Sequence, residues 1–231
     1  MGYVYSLVVL NSFEFGIPQS RERMFLIGFR NISDIRNLEI QFALRKKQVP
    51  KVRDILLPLG VAGSKRNRRI CNAKVTIAVQ PVLRRSPYAG MFFNGQGRPL
   101  NPDRYSCALH ASMGGNKTPI IDEDHCYFGE YSWVEWYHSH LMKGGEPLPS
   151  DAVPKRLRRL TVDEALRLQT FPHDYQFIGR QSSVYRQIGN AVPCDLVQVV
   201  AEVVRDYFTN SELVTPLSSL ECEASQLRLA I

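Results

Sequence analysis

Two short runs of β-branched and aromatic residues open the chain and predict two strands of a sheet. The first is YVYSLVVLNSFEF, residues 3–15, and the second is RMFLIGFR, residues 23–30. Apolar runs of this kind, bounded by polar segments, are typical of strands, and GIPQSRE between them predicts a polar turn. Both strands are expected to be buried within the sheet.

The pattern changes at about residue 31 and stays irregular to about residue 154. Prolines, glycines and basic residues recur there, and periodic helical faces are scarce. Two basic runs, RKKQVPKVRD and SKRNRR, carry much of the positive charge and suit either phosphate binding or a solvated surface. This segment is therefore predicted to be a loop-rich insert with short strands.

Helical periodicity returns after the insert. In LTVDEALRLQTFP, Thr161 and Glu164 have the spacing of a capping box, and Pro172 ends the run. A longer helix is predicted in CDLVQVVAEVVRDYF, with Pro193 in its first turn and one apolar face formed by Leu196, Val200, Val203, Val204 and Tyr207. Residues 209–231 have no strong period and are predicted to form a tail with at most one weak helix.

Composition narrows the classes of partner. The 231 residues are 44% hydrophobic, which is enough for a substantial core, and the formal charge is +7 with a pI of about 9.3. A basic protein favours polyanionic partners, with nucleic acid first and anionic membranes second. No apolar run approaches the length of a spanning helix, and the start of the sequence lacks a signal-peptide pattern, so a soluble, cytoplasmic protein is expected.

The cysteines and histidines do not predict a metal site. The five cysteines are far apart and form no CxxC pair, so reduced thiols are expected; they are Cys71, Cys107, Cys126, Cys194 and Cys222. His125, Cys126, His138 and His140 are close in sequence, but their spacing matches no standard ligand pattern. We interpret them as residues of an aromatic-rich loop, and no metal is predicted.

The Pro193–Cys194 pair invites the interpretation of Cys194 as a nucleophile. The start of the predicted helix could lower its pKa, but no histidine, lysine or carboxylate nearby in sequence is placed to activate the thiol. Cys194 is therefore predicted to be a packed residue at a helix start.

Three stretches, in this order, resemble the C-terminal half of the DNA cytosine-5 methyltransferases. PQSRERMFLIGFR, RRLTVDEALRLQTFP and YRQIGNAVP are similar to the eighth, ninth and tenth conserved motifs of that family. The resemblance implies an α/β fold: the C-terminal portion of a Rossmann-like, S-adenosylmethionine-dependent methyltransferase sheet domain, plus a loop-rich, mainly β target-recognition domain. The implied division is 1–34 for sheet strands with motif eight, 35–156 for target recognition, 157–208 for the closing helices and 209–231 for the tail.

The resemblance also implies roles for two arginines. Methylation of carbon 5 needs a thiolate to attack carbon 6 of a flipped cytosine, which pushes negative charge toward N3 and O2. A guanidinium beside O2 would lower that barrier, because it stays charged and presents its donors in a fixed fork. Arg23 matches the arginine that reaches the flipped base in the family, and Arg21 is expected to support the base or the covalent-bond-forming loop from nearby. The resemblance thus implies that both are catalytic residues. For an isolated RxR pair, two surface arginines would be the simpler interpretation.

In QIGNAVP the resemblance places contacts with S-adenosylmethionine. Asn190 and Ala191 are the predicted cofactor-binding residues, with Gly189 permitting a turn. The alternative is a plain turn between helices. The ninth motif is interpreted as structural, because a capped amphipathic helix explains its residues.

The segment from Phe93 to Asp122 resembles the recognition core of the family. Its predicted DNA-binding residues are Arg98, Gly114, Gly115, Asn116, Lys117 and Thr118, where the glycines allow close approach and the others offer donors to bases and phosphates. Gly95-Gln96-Gly97 superficially matches a nucleotide-binding loop, but no strand is predicted before it and no helix after it. The family usually has threonine where Ala108 precedes Leu109, so one DNA contact of that pattern is missing.

The family's remaining motifs are not found in these 231 residues. They are a glycine-rich turn for the cofactor, a Pro-Cys loop with the nucleophile, and a Glu-Asn-Val stretch. The chain is therefore predicted to be the target-recognising part of a DNA cytosine-5 methyltransferase, inactive alone, which shares S-adenosylmethionine and duplex DNA with a separate N-terminal catalytic chain. The alternatives are an inactive DNA-binding remnant and the end of a longer gene whose start was misassigned.

Overall fold

Helices and three small antiparallel sheets make up the part of the protein that the structure describes. The computed structural model describes residues 3–30, 35 and 37–209. The strands are β1 (Val4–Asn11), β2 (Glu22–Phe29), β3 (Ile77–Val82), β4 (Met91–Phe93), β5 (Ile120–Asp122) and β6 (Leu157–Arg159). The helices are α1 (Leu38–Ala43), α2 (Val52–Leu56), α3 (Glu123–Phe128), α4 (Trp133–Met142), α5 (Val162–Leu168), α6 (Gln181–Asn190) and α7 (Cys194–Thr209). The predicted tail falls outside these residues, apart from Thr209, which ends α7.

β1 and β2 form the predicted pair, but only one face of the pair is buried. The strands are antiparallel with Leu7 opposite Leu26, and alternate side chains point to opposite faces. The inner face packs in a core, whereas the outer face is exposed and apolar; its residues are Tyr3, Tyr5, Leu7, Val9, Met24 and Leu26. The expectation that both strands are buried is therefore wrong for the outer face. Nothing among the described residues covers it.

The link between the two strands is an anchored loop rather than a polar turn. A 3-10 turn at Ser12–Glu14 is followed by Phe15 and Ile17, both of which are buried in the sheet core. Gln19 is also fully buried. The hydrophobic pattern alone did not predict this, because the buried residues lie between polar ones and have no strand period.

The core behind the sheet is closed by helices from both ends of the chain. α7 packs there through Leu196, Val199 and Val203, with the other predicted apolar positions alongside. α1 joins the same core through Leu38 and Phe42. Packing with the sheet thus continues beyond residue 34, the predicted end of the first unit.

The insert contains more helix than expected. Among the described residues between 35 and 156 there are four α-helices, the longest of ten residues, a 3-10 turn at Leu57–Leu59, and three strands of three to six residues. The description of this part as mainly β is therefore wrong. α4 packs its aromatic face on β3 and β4, and Ser132 caps it by accepting a hydrogen bond from the Glu135 amide.

The predicted capping box is present in α5. The Thr161 hydroxyl accepts from the Glu164 amide (3.0 Å), and the Glu164 carboxylate accepts from the Thr161 amide (2.9 Å). α5 ends at Leu168, before Pro172, and Thr170 has a positive φ of 55°. α7 begins at Cys194, directly after Pro193. α6, which carries most of the tenth-motif stretch, was not predicted.

Glu164 also anchors α5 electrostatically. It is fully buried and accepts hydrogen bonds from Arg158 (2.7 Å), Asn67 (3.0 Å) and Tyr127 (2.9 Å). Burial alone would raise the pKa of Glu164, but the donors and positive charge of Arg158 outweigh it and hold the pKa below its ordinary value. The carboxylate therefore stabilises the fold only while it is ionised.

Glu164→Gln is expected to lower the free energy of unfolding by about 1.5–2 kcal/mol at neutral pH, since hydrogen bonds to a charged group are lost. A carboxyl with a lowered folded pKa contributes fully above its unfolded pKa of about 4.3 and loses that contribution as the pH falls. The difference from wild type should therefore shrink below about pH 4. Urea titrations at several pH values measure it, and a difference independent of pH would contradict the assignment.

No helix among the residues that the structure describes is long and apolar enough to cross a membrane.

Candidate functional site

One cavity brings the eighth- and tenth-motif stretches together. It has a volume of about 300 Å³ and is lined by Arg21, Arg23, Gly189 and Asn190 on one side and by residues 108–111 on the other. The β1–β2 loop, the end of α6 and the recognition segment therefore meet at one place. The two arginines and two of the three predicted cofactor-binding residues line this cavity.

Arg21 holds this junction together. Its side chain is 5% exposed, and its guanidinium donates to the carbonyl oxygens of Leu109 (2.8 Å) and Gly189 (2.6 Å). Burial, followed by the positive charge of Arg23, lowers its pKa to about 10, so it remains charged at neutral pH. Both hydrogen-bonded partners belong to the protein. Arg21 thus holds the loop before β2 against the recognition segment and the end of α6, and its support of the flipped base stays a prediction.

Arg23 has the opposite surroundings. It is only partly buried, and its one described hydrogen bond goes to the carbonyl oxygen of the adjacent Glu22 (2.6 Å). β2 fixes its backbone opposite Leu10, so the side chain starts from a rigid element. Arg23 therefore presents a charged fork to the cavity with donors still available.

Two buried amides link the loop before Arg21 to the closing helices. Gln19 donates to Gln169 (3.2 Å) and accepts from the Leu109 amide (3.1 Å), and Gln169 in turn donates to the Ile188 carbonyl (2.7 Å). Both side chains are fully buried. Sequence analysis missed this pair; the only signal was a glutamine in each of the motif stretches.

The tenth-motif residues predicted to bind the cofactor lie at the end of α6 and directly after it. Gly189 lies in α6 rather than in a turn, and a Cβ there would come within 2.3 Å of the His110 carbonyl oxygen. Close packing therefore requires glycine at position 189, and the prediction that Gly189 permits a turn is wrong. Asn190 ends α6 with an exposed amide that makes no hydrogen bond within the described part of the chain. Ala191 is partly buried beside it.

A larger cleft of about 570 Å³ shares Ala108 and His110 with the 300 Å³ cavity. Its lining includes Gln96, Arg98 and Lys117. The Gly95–Gly97 backbone lies flat on residues 116–118, since a Cβ on Gly97 would meet the Thr118 carbonyl oxygen at 2.0 Å. The buried Arg159 ties the two segments together by donating to the carbonyls of Thr118 and Asn94, both at 2.9 Å. The glycines of the apparent nucleotide-binding loop thus serve packing.

The predicted DNA-binding residues divide into accessible and buried ones. Arg98, Asn116 and Lys117 are exposed. Thr118 is fully buried, and its hydroxyl accepts from the Gly114 amide (2.9 Å), so the prediction that it contacts DNA is wrong. Gly114 has a φ of 103° and packs on α6, whereas a Cβ on Gly115 would meet nothing within 4 Å.

Several residues of the basic runs are already paired. Arg45 pairs with Asp206, Lys46 with Glu14, Arg53 with Asp103 and Arg69 with Asp163. These ion pairs tie surface segments together. Part of the positive charge therefore serves the fold rather than phosphate binding.

The histidines of the aromatic segment belong to α3 and α4 rather than to a loop. The ring of His125 hydrogen-bonds to the Glu130 carbonyl, that of His138 to the Arg84 carbonyl and that of His140 to the Glu146 carbonyl. Within residues 3–30, 35 and 37–209, no group of three His, Cys, Asp or Glu side chains could hold a metal ion.

The thiol of Cys194 is not activated. Burial and the negative charge of Asp195 raise its pKa, and its backbone amide donates to the Gln169 carbonyl at the start of α7. This agrees with the prediction that Cys194 is a packed residue. Cys71, Cys107 and Cys126 are also free thiols, and Cys222 lies outside the described residues.

Comparison with known proteins gives one consistent result. The family model for C-5 cytosine-specific DNA methylases matches residues 1–206. The Type II methyltransferase M.FnuDI of Fusobacterium nucleatum is 25% identical over 217 residues, covering 92% of this chain and 58% of that protein. M.BbvI of Brevibacillus brevis is 28% identical over 237 residues, covering 91% of this chain and 51% of that protein.

The fold is also similar to a solved structure, the Dnmt2 methyltransferase of S. pombe. The TM-score is 0.54 at 17% identity, and the match covers 90% of this chain and 59% of that chain. The α/β methyltransferase fold is thus shared at low sequence identity. The chain spans between half and three-fifths of the length of the relatives described.

Proposed function

Because this chain belongs to the C-5 cytosine-specific DNA methylase family, we propose that it is the target-recognising part of an enzyme that methylates carbon 5 of cytosine in duplex DNA. In this proposal the nucleophilic cysteine comes from a separate N-terminal catalytic chain, and this chain alone is inactive. The proposal rests on the 300 Å³ cavity, which Arg23 lines together with Asn190 and the recognition segment. The Arg23 guanidinium still has donors available there.

The exposed sheet face supports a catalytic partner. Six apolar side chains lie on the outer face of the β1–β2 pair, and all of them are between 56% and 69% exposed: Tyr3, Tyr5, Leu7, Val9, Met24 and Leu26. A contiguous apolar surface of this kind is costly in water and marks an interaction site. Two strands with open edges are also a marginal sheet by themselves. The partner would cover this face and extend the sheet.

Arg23 would act on the flipped cytosine. A base lying in the cavity with its O2 toward the guanidinium would be stabilised as negative charge develops on that oxygen. Arg21 would keep the cavity in shape through the Leu109 and Gly189 carbonyls, and β2 would hold Arg23 against the base. Bulk water would be excluded on one side by residues 108–111.

S-adenosylmethionine would supply the methyl group when bound. The exposed Asn190 amide, which has both a donor and an acceptor, fits a polar ligand at the cavity rim. Ala191, next to it, would contribute its partly buried surface. Gly189, which lines the cavity beside Asn190, has no room for a side chain because a Cβ would meet the His110 backbone.

The test is reconstitution. This chain, the polypeptide encoded immediately upstream, duplex DNA and methyl-labelled S-adenosylmethionine are mixed, with each chain alone as a control. Label on cytosine only in the mixture is the expected outcome. Label with this chain alone would overturn the need for a partner. A silent mixture in which this chain still shifts DNA in a gel would favour a DNA-binding remnant.

A further inference from the structure

A third cavity lies between the recognition segment and the loop before β2. Its volume is about 320 Å³, and its polar lining includes Ser20, Asn101, Arg104, Ser106 and Arg98. The Arg98 side chain also lines the 570 Å³ cleft, so the two spaces adjoin at this residue. No carboxylate is among the described residues that line the smaller cavity.

Its two arginines are unpaired. The side chains of Arg98 and Arg104 are exposed and make no ion pair or hydrogen bond with any residue in the described ranges. The neighbouring carboxylate of Asp103 is instead held by Arg53 at 2.8 Å. Two positive charges therefore converge on one cavity without a counter-ion from this part of the protein.

A buried hydroxyl lies against the same cavity. Ser106 is 1% exposed, and its Oγ has no hydrogen-bond partner in the described structure. Its backbone is fixed on both sides, since its amide donates to the Pro18 carbonyl and its carbonyl accepts from the Ser20 amide, both at 2.8 Å. Buried polar groups are nearly always satisfied, so an orphan hydroxyl beside a cavity indicates a missing acceptor.

The thiol of Cys107 also lines this cavity, next to Arg98. Burial raises the pKa of Cys107, although the charge of Arg98 acts in the opposite direction. The thiol is thus uncharged at neutral pH. The positive charge of the cavity remains available to a ligand.

We infer that this cavity binds one phosphate of the DNA backbone, with Arg98 and Arg104 as its cations and the Ser106 hydroxyl as a further donor. Guanidinium forks suit phosphate oxygens, and contacts of this kind fix the register of a protein on a duplex. Because Arg98 also borders the larger cleft, a strand held here would direct its neighbouring bases toward Gln96 and Lys117. The inference rests on the proposed DNA-binding function.

The experiment measures binding of the full chain to a fluorescent mixed-sequence duplex by anisotropy, from 50 to 300 mM salt. Arg104→Ala is expected to weaken binding by about tenfold at 150 mM salt and to reduce the slope of log K against log salt by about one. Ser106→Ala is expected to weaken binding by about threefold without lowering the melting temperature, because the hydroxyl has no partner in the protein. Lys143→Ala, an exposed cation after α4, is the matched control and should leave both quantities unchanged.

A second duplex, with methylphosphonate linkages along one strand, identifies the ligand as a backbone phosphate. Wild-type protein should lose affinity on it, and Arg104→Ala should lose about tenfold less, because one of its charge contacts is already absent. If the wild-type protein binds DNA and Arg104→Ala has the same salt slope as the wild type, this inference alone is overturned. Failure of the wild type to bind the duplex, both alone and together with the upstream chain, would overturn both the inference and the proposed function.

Discussion

Arg23→Ala is expected to lower kcat for cytosine methylation by the reconstituted enzyme by about 10²–10³-fold. The guanidinium would stabilise charge that exists only as the thiolate adds to the base, so its loss falls on the chemical step. Binding of DNA in the ground state should change far less, because Arg23 has a single described hydrogen bond, to its own neighbour Glu22. Single-turnover rates at saturating DNA and cofactor measure the effect.

Glu22→Gln provides the matched control. Glu22 is the adjacent residue of β2, is exposed and does not line the 300 Å³ cavity. Its replacement should leave the single-turnover rate unchanged while altering the local charge. A rate for Arg23→Ala within about threefold of wild type would exclude a role for this arginine in charge stabilisation, since a lost donor to an oxyanion costs far more.

The contrast between Arg21 and Arg23 shows what the sequence could and could not predict. The resemblance identified both arginines and ranked Arg23 as the one that reaches the base. It could not show that Arg21 is buried between two carbonyl groups, because Leu109 and Gly189 lie 88 and 168 residues away. Contacts over such separations depend on the whole fold. The same holds for the Gln19–Gln169 pair.

Sequence patterns gave correct predictions for features that depend on residues close together in the chain. The capping box of α5 and the apolar face of α7 depend on residues a few positions apart, and both were predicted. Thr118 was assigned to DNA because its hydroxyl is a good donor. Its side chain is fully buried, however, and its hydroxyl oxygen accepts a hydrogen bond from the Gly114 amide. α6 was missed because its sequence, QSSVYRQIGN, contains serines and a glycine, which disfavour helix; tertiary packing of Val184, Tyr185 and Ile188 outweighs that preference.

Glycines were the hardest residues to interpret, since the same residue type serves turns, ligands and close packing. The sequence favoured a turn at Gly189 and DNA approach at Gly114 and Gly115. In the structure these three glycines have different surroundings. Gly189 contacts backbone, Gly114 needs its positive φ, and Gly115 faces open space.

Gly189→Ala is therefore expected to lower the free energy of unfolding by about 3 kcal/mol, at the upper end for overpacking. The new Cβ would lie 2.3 to 2.6 Å from the carbonyl group of His110 and the amide of Ala111, and backbone atoms cannot rotate away as a side chain can. The recognition segment would have to move off α6. That movement would break the hydrogen bonds by which Arg21 joins Leu109 to Gly189.

Gly115→Ala is the control that distinguishes the close packing at Gly189 from a general sensitivity of this protein to replacement of glycine. Gly115 has no positive φ and no atom within 4 Å of its Cβ position, so its replacement should change the free energy of unfolding by less than about 0.5 kcal/mol. Urea titration of both variants gives the comparison. Equal stability of Gly189→Ala and Gly115→Ala would contradict the close packing of α6 on residues 110 and 111, and with it the role of Arg21 as the residue that positions the cavity.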